Sequence, residues 1–253
     1  TYESKLDLDE SRTIDLALAN NRTAKQTKWD YQAAKDTVSA TAAGKNPSIS
    51  YSWQGARSNG VNAMTGRNVT SKTGSHSFTI SAPVFSPELD ASIDASRYAR
   101  EGAGASYEES LQQAKYDAIS GYYTLIMNRN LVDVAQQSVK DYQGHVTNVQ
   151  AQYNVGLVAS SDVLAAKTNL ADSETNLVKA QNAANLAEAS LNQVIAYPVQ
   201  TAINTAEHDL QYKPYNVTLE QAKAYALLHR SALVKSAMAV KEAEETLKKA
   251  KSG

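Results

Sequence analysis

The sequence predicts a mainly α-helical chain with one β-hairpin, in which the longest helices pair as antiparallel coiled coils. Three observations lead to this fold class. No proline interrupts residues 88–153. Apolar residues recur every three or four positions along most of residues 132–194, which is typical of coiled-coil helices. Two short segments near residues 50 and 80 instead alternate polar and apolar residues, which is typical of strands.

The composition excludes several classes of protein. The 253 residues include 25 Lys and Arg against 26 Asp and Glu, a balance that argues against a nucleic-acid binder. Without cysteine, the chain has no disulfide, no thiol catalysis and no Cys-ligated zinc. No apolar run approaches the roughly 20 residues that a membrane-spanning helix needs. Residues 1–4 lack the basic and apolar regions of a signal peptide, so we expect any such peptide to have been removed.

A first helix and a hairpin are predicted in the N-terminal third. The helix covers about residues 10–45 and is stopped by Pro47. Residues 48–54 and 77–84 each alternate between polar and apolar side chains. The Gly-, Asn-, Ser- and Thr-rich residues 55–74 between them predict a mobile polar loop. Together these segments predict one long antiparallel hairpin.

A long helix is predicted from Pro87 to Tyr153, because Pro87 suits a first helical position and no later proline breaks the pattern. A short break follows at residues 156–161, and a second helix, with Ser161 or Asp162 as its N-cap, reaches about residue 196. The predicted coiled-coil seam consists of Val132, Ala135, Val139, Tyr142, Val146, Val149, Tyr153, Ala166, Leu170, Ser173, Leu177, Ala180, Ala184, Ala187, Leu191 and Val194. These helix lengths suggest a rod, capped by strands at one end and by a helical turn at the other.

The chain contains the beginning of an internal repeat. After irregular residues 197–217, a new helix is predicted over residues 218–253. It aligns without gaps on the first helix from Leu16 to Gly44, displaced by 209 residues, so that Gly44 matches Gly253. This match predicts a duplicated architecture, and we expect the natural chain to continue into a second hairpin and helix pair. The predicted organisation is an N-terminal segment and helix (1–45), a hairpin (46–87), a helical hairpin (88–196), a connecting segment (197–217) and a truncated second repeat (218–253).

One segment carries a specific family resemblance. Residues 153–164, Tyr-Asn-Val-Gly-Leu-Val-Ala-Ser-Ser-Asp-Val-Leu, resemble the periplasmic tip turn of the TolC family of outer-membrane efflux proteins. The Ala- and Leu-rich helix that follows, and residues 8–21, are also similar to that family. So is the order of helix, hairpin, long helix, turn, helix and restart. The resemblance covers essentially the whole chain, as a first repeat and the beginning of a second.

The resemblance implies a trimeric conduit in the outer membrane. In this family the protomers share one transmembrane β-barrel, and their helices form an α-barrel tunnel in the periplasm. An inner-membrane pump drives export through the conduit and reaches it through a periplasmic adaptor protein. The implied function is passive export from periplasm to exterior in a tripartite efflux or type I secretion system. No enzyme activity, cofactor or metal is expected, and nucleic acid is not an expected partner.

Two sets of residues are candidate sites under this interpretation. The strand residues predicted to face lipid are Ile49, Tyr51, Trp53, Phe78, Ile80 and Val84. The residues predicted to contact an adaptor at the tip are Gly156, Leu157, Val158, Ser160, Ser161 and Asp162. On pattern alone, a soluble hairpin packed on a core explains the strands equally well, and an ordinary helix–helix turn explains the tip. Two strands cannot span a bilayer alone, so we expect this chain by itself not to close a barrel.

Two other functions explain parts of the sequence. A periplasmic adaptor also carries a long helical hairpin, but lipoyl-like half-motifs and flanking β-rich segments are not evident. A coiled-coil surface stalk leaves the alternating hairpin and the restart at Thr218 unexplained. Catalytic candidates are weak, because Gly102-Ala103-Gly104 is not a nucleotide-binding loop. The histidines are scattered without metal-ligand spacing, at positions His76, His145, His208 and His229.

Overall fold

The computed structural model describes residues 5–207, 210, 212 and 214–252. It divides into two compact units, one formed by Thr1–Trp29 with Ala105–Ala232 and the other by Asp30–Gly104 with Leu233–Gly253. The elements in chain order are β1 (Lys5–Leu8), α1 (Glu10–Asn20), α2 (Arg22–Ala42), β2 (Ser48–Val61), β3 (Asn68–Ser81), α3 (Pro87–Asn154), α4 (Ser160–Val194), β4 (Ala202–Thr205), α5 (Leu219–His229) and α6 (Ser231–Ser252). The predicted mainly helical chain with one long hairpin is confirmed.

The first unit has its core beneath a small parallel sheet. Strands β1 and β4 pair in register, and alternate residues such as Leu6, Leu8 and Ile203 are buried. They contact a cluster on α1, α3 and α4 that comprises Ala17, Ala118, Tyr122, Leu125, Ile126, Leu191 and Ile195. The prediction that residues 197–217 are irregular was therefore wrong over β4, because a four-residue strand is too short to show a clear alternation.

Helices α3 and α4 form an antiparallel helical hairpin. Helix α3 is unbroken over 68 residues, about 100 Å at the rise of an α-helix. All nine predicted seam residues on α4, from Ala166 to Val194, are buried or half-buried, which confirms the coiled-coil face. On α3 the seam is half-buried except at Tyr142 and Tyr153, which are exposed. The two helices are also joined by Arg129, whose guanidinium lies 3.3 Å from the Glu188 carboxylate.

The single helices predicted over residues 10–45 and 218–253 are each broken, which corrects both predictions. At Asn21 the backbone leaves the helical region, and the Asn21 side-chain oxygen accepts a hydrogen bond from the Ala24 N–H at 2.9 Å. The same residue thus ends α1 and caps α2, because a short polar side chain can replace the missing helical partner. Arg230 makes the equivalent break between α5 and α6.

The two breaks support the predicted repeat. Every boundary of α1, and the first residue of α2, recurs 209 residues later in α5 and α6. The N-caps also correspond, since Asp9 accepts from the Arg12 N–H and Thr218 accepts from the Gln221 N–H. The proposed match between Gly44 and Gly253 falls outside the described residues at Gly253.

The hairpin is longer than its hydrophobic pattern indicates. Strands β2 and β3 pair continuously from Ser48↔Ser81 to Val61↔Asn68, so the mobile loop predicted over residues 55–74 was wrong. Only residues 62–67 form the turn, where the Asn62 side chain accepts hydrogen bonds from the Met64 and Thr65 N–H groups. The sequence did not predict this part of the strands, because polar residues occupy both faces and no alternation is visible. The strands pair nevertheless, since backbone hydrogen bonding does not require apolar side chains.

Two glycines of α3 allow close packing in the second unit. A Cβ atom at Gly104 would lie 3.3 Å from the Tyr31 ring, and one at Gly102 would lie 3.8 Å from the Met238 Cβ. Both helices that contact α3 here therefore approach its backbone closely. These contacts account for both glycines of the Gly102-Ala103-Gly104 segment by helix packing.

A hydrogen bond from Tyr122 links the core of the first unit to Glu207, in the segment after β4. The Tyr122 hydroxyl donates this bond to the Glu207 carboxylate, and Tyr122 is fully buried. Burial, together with this bond, raises the pKa of Tyr122 well above its ordinary value of 10.0. The neighbouring Tyr123 donates to Glu10 at 2.7 Å, which raises the pKa of Tyr123 in the same direction. Both phenols therefore favour the neutral form in the folded chain.

We expect Tyr122→Phe to lower the free energy of unfolding by about 1–2 kcal/mol at neutral pH, because Glu207 loses its donor. The folded state keeps the Tyr122 proton above pH 10, whereas the unfolded chain loses it, so this stabilisation is complete below about pH 10 and disappears as pH rises through the folded-state pKa. Tyr122→Phe should accordingly flatten the alkaline decline in stability. Chemical unfolding at neutral pH and at about pH 11 measures both effects.

The matched control is Tyr116→Phe, since Tyr116 lies on the same helix and is 67% exposed. It should leave the alkaline decline unchanged. If Tyr122→Phe and Tyr116→Phe gave the same pH dependence as the parent chain, the bond to Glu207 would not contribute to stability.

Candidate functional site

The hairpin has one apolar face and one polar face. Residues opposite each other in an antiparallel pair lie on the same face, and the register pairs Ile49 with Ile80, Tyr51 with Phe78 and Trp53 with His76. The five apolar or aromatic residues are 63–68% exposed. Five of the six residues predicted to face lipid therefore share one uncovered face.

Val84, the sixth predicted residue, does not belong to this face as a strand residue. Strand β3 ends at Ser81, and Val84 lies beyond it with 98% of its surface exposed. Proline explains the end of pairing: Pro83 follows closely, and Pro47 precedes the first residue of β2. Neither can donate a backbone N–H to the ladder.

Three side chains form an aromatic cluster at the end of the apolar stretch that is nearer the turn. The Tyr51 hydroxyl and the His76 Nδ1 atom are 2.7 Å apart, and the Trp53 and His76 rings have centroids 6.4 Å apart. The Trp53 indole covers Gly55, where a Cβ would lie only 3.0 Å from the ring. Glycine at this position lets the indole lie flat on the sheet. The cluster thus combines apolar rings with polar tips, as is typical of residues at a membrane interface.

The opposite face of the hairpin carries small polar side chains. From the helix end towards the turn, the pairs are Ser48 with Ser81, Ser50 with Thr79, Ser52 with Ser77, Gln54 with Ser75, Ala56 with Thr73, Ser58 with Ser71 and, next to the turn, Gly60 with Val69. The Ser48 and Ser81 hydroxyls are 2.8 Å apart. A strand pair with one apolar and one hydroxyl-rich face is suited to separating lipid from water.

The turn between α3 and α4 has a well-defined backbone structure. The Gly156 N–H donates to the Tyr153 carbonyl and the Leu157 N–H donates to the Gln152 carbonyl, both at 2.9 Å. Gly156 has φ +78°, in the left-handed region. These bonds form a Schellman motif, in which glycine is favoured because it has no Cβ. The sequence correctly indicated a glycine C-cap here.

The start of α4 differs from the prediction. Ala159, not Ser161 or Asp162, is the N-cap, and the helix begins at Ser160. The Asp162 carboxylate accepts a hydrogen bond from the Ala159 N–H at 3.0 Å, so Asp162 supports the cap from the third helical position. Alanine has no side-chain acceptor, which is why the sequence favoured its polar neighbours.

The turn presents apolar side chains to solvent. Leu157 is 75% exposed and Val158 is half-buried, whereas Ser160, Ser161 and Asp162 are exposed. Val155 and Leu164, which the sequence analysis did not select as contacts, are also exposed, at 69% and 67%. Sequence position could have indicated both residues, because Val155 directly precedes Gly156 and Leu164 ends the family-like segment of residues 153–164. The structure thus places all six predicted tip residues in or directly after one turn, with further apolar residues beside them.

The three histidines that the structure describes do not converge. His76 belongs to the aromatic cluster, and His229 contacts Tyr225 with ring centroids 4.3 Å apart. His145 is exposed on α3. His208 lies outside the described residues.

Within the described part of the chain, no helix is both long enough and apolar enough to cross a bilayer.

The sequence model of the family described as "Outer membrane efflux protein" matches residues 13–196. No match to the chain was found among curated proteins. Among solved structures, the chain is similar to the CmeC outer membrane channel of Campylobacter jejuni, at 16% identity and a TM-score of 0.77 over 96% of this chain and 52% of that one. It is also similar to the outer membrane protein VceC of Vibrio cholerae, at 14% identity and a TM-score of 0.81 over 96% and 58%.

A third similar structure is CusC, at 16% identity and a TM-score of 0.79 over 96% of this chain and 56% of that one. The chain therefore spans little more than half the length of the structures it matches. The TM-scores of 0.77–0.81 over 96% of this chain establish a shared fold, and at 14–16% identity the likeness shows the fold alone. The family match covers most of the chain and includes α1, the hairpin, α3, the turn and α4. The chain belongs to the outer membrane efflux protein family, which confirms the resemblance to TolC.

Proposed function

We propose that this chain is the first repeat, with the start of the second, of an outer-membrane channel subunit that exports substrates passively from the periplasm. The observation that carries this proposal is the division of β2 and β3 into an apolar and a hydroxyl-rich face. Family membership supports it. A soluble hairpin would require a core to cover Ile49, Phe78 and Ile80, and these residues are exposed.

Barrel closure requires more strands than this chain supplies. An open strand edge in lipid leaves backbone N–H and C=O groups unpaired, which costs several kcal/mol for each group. In the proposed channel, hairpins from both repeats of three identical protomers close one barrel. The apolar faces then contact outer-membrane lipid, and the Ser- and Thr-rich faces line the water-filled interior.

Helix α5, at the start of the second repeat, exposes apolar side chains. Tyr225 and Leu227 on α5 are 67% and 71% exposed. Their counterparts 209 residues earlier, Leu16 and Leu18, are half-buried, and Leu16 packs against the core of the first unit. We infer that an equivalent core from the second repeat covers α5 in the complete protein. This inference explains why matching helices differ so much in burial.

The proposed channel is tested by reconstituting the complete protein in planar bilayers. We expect a detergent-extracted trimer that produces discrete, passive conductance steps without an energy source. The 253-residue chain, purified and reconstituted in the same way, is the matched control and should give none, because its two long strands cannot close a barrel. A complete protein that stays soluble and monomeric, or that leaves the bilayer non-conducting, would contradict the proposal.

The turn between α3 and α4 is proposed to dock a periplasmic adaptor, which links the channel to an inner-membrane pump. Support comes from the exposed Leu157 and Val155, from a backbone fixed by the Schellman motif, and from the family resemblance of this segment. A rigid turn with exposed apolar residues suits contact with another helical tip, because little ordering entropy is lost on binding.

We expect Gly156→Glu and Leu157→Arg in the complete protein to abolish export while trimers still form and insert. Each places a charge in the proposed apolar contact. Export of a fluorescent dye from cells that depend on this protein, together with native electrophoresis of membrane extracts, measures the two properties. Wild-type export by both variants would eliminate the docking role.

Two kinds of control separate docking from damage to the turn. Gln181→Glu and Asn182→Arg introduce the same charges at exposed positions on α4 and should export normally. Gly156→Ala strains the turn by about 1 kcal/mol without adding charge and should retain most export. If Gly156→Ala were as defective as Gly156→Glu, backbone geometry rather than an apolar contact would be responsible.

A further inference from the structure

A pair of basic residues interrupts the apolar face of the hairpin. The register places Arg57 directly opposite Lys72, on the same face as Tyr51 and Trp53. Cations in directly opposed positions repel each other and destabilise the strand pair unless an anion lies between them. No carboxylate in the described part of the chain forms an ion pair with either residue.

The order of side chains along this face follows the order of layers in a membrane. Successive pairs on one face are separated by about 7 Å. Two apolar pairs come first, at Ile49 and Tyr51, followed by the Trp53–His76 pair and then by the glycine pair that the indole covers. The Arg57–Lys72 pair is next, so the face changes from hydrocarbon-like through aromatic to cationic. This order is typical of a hydrocarbon core, an interface and a headgroup layer.

The net positive charge of the whole hairpin also favours contact with anionic groups. Residues 46–87 contain no Asp or Glu, whereas they contain Arg57, Arg67 and Lys72, in a chain whose net charge is only −1. The basic pair lies four residues from the turn end of each strand. The strands join the helices at the opposite end, so the pair occupies the part of the hairpin that is remote from the helices.

We propose that Arg57 and Lys72 together bind the phosphate groups of the phosphorylated glycolipid in the outer leaflet of the outer membrane. This inference rests on the proposed function, since it requires the apolar face to contact lipid with the turn outside the cell. Two adjacent cations can contact one phosphate by charge-assisted hydrogen bonds. In this arrangement the acyl chains of the same glycolipid contact the Trp53 indole. The opposite face offers only the Ser58–Ser71 pair at the same level.

The test uses the complete trimer in detergent, with lipid A as the probe and native mass spectrometry to measure the bound lipid. Replacing both residues, by Arg57→Ser and Lys72→Ser, should weaken lipid A binding about 30-fold, and each single change about 5-fold. Arg67→Ser, which removes a basic residue from the turn, should have little effect. Inorganic phosphate at millimolar concentration should not displace lipid A, because it lacks the acyl chains that contact the apolar face.

A charge-transposed variant makes the test specific to the face. It combines the two serine substitutions with Ser58→Arg and Ser71→Lys, which restores the net charge on the other face. We expect this variant to bind lipid A as weakly as the double-serine protein. Equal binding by the wild-type, double-serine and transposed proteins, or displacement by inorganic phosphate, would overturn the inference. A wild-type protein that does not enter membranes at all would instead contradict the proposed function.

Discussion

The backbone register between β2 and β3 is the constraint on which the proposed function depends. Each strand has 14 residues, and their pairing keeps Ile49, Tyr51, Phe78 and Ile80 on one face. A slip of one residue in either strand would move its apolar side chains among the serines and threonines. Within the described residues, no other element covers the hairpin, because the side chains of β2 and β3 are exposed. In the proposed channel, this register places one face against lipid and the other against water.

Local backbone chemistry determines the rest of the architecture. The Gly156 turn reverses the chain so that small residues on α4 can pack against α3, and Asn21 breaks one helix while capping the next. The same break recurs at Arg230, although arginine has no short side chain that could form a comparable cap. Repetition at a fixed distance of 209 residues, with matching N-caps at Asp9 and Thr218, indicates that the two segments share an ancestral unit.

Much of this fold could be predicted from sequence because long periodic segments are strong signals. The seam of α4, the uninterrupted α3 and the glycine turn all follow from residue spacing and cap chemistry. Residues 55–61 and 68–74 could not be predicted as strands, because polar residues occupy both of their faces and the alternation by which strands are recognised is lost. Strand β4 and the Tyr122–Glu207 bond depend on contacts between residues far apart in sequence. Among the candidate site residues, Val84 was misplaced because the pattern continued past the position where Pro83 prevents pairing.

The most direct test of the two-faced hairpin uses single cysteines, introduced into a complete protein that carries no other cysteine; residues 1–253 already contain none. Tyr51→Cys and Ser52→Cys, introduced into the complete protein, would each carry a fluorescent label in reconstituted membranes. Neighbouring strand residues point to opposite faces, so we predict that a lipid-soluble quencher acts on the label at residue 51 and a water-soluble quencher on the label at residue 52. Equal quenching at both positions, or the reverse assignment, would contradict the account of this hairpin as part of a barrel wall.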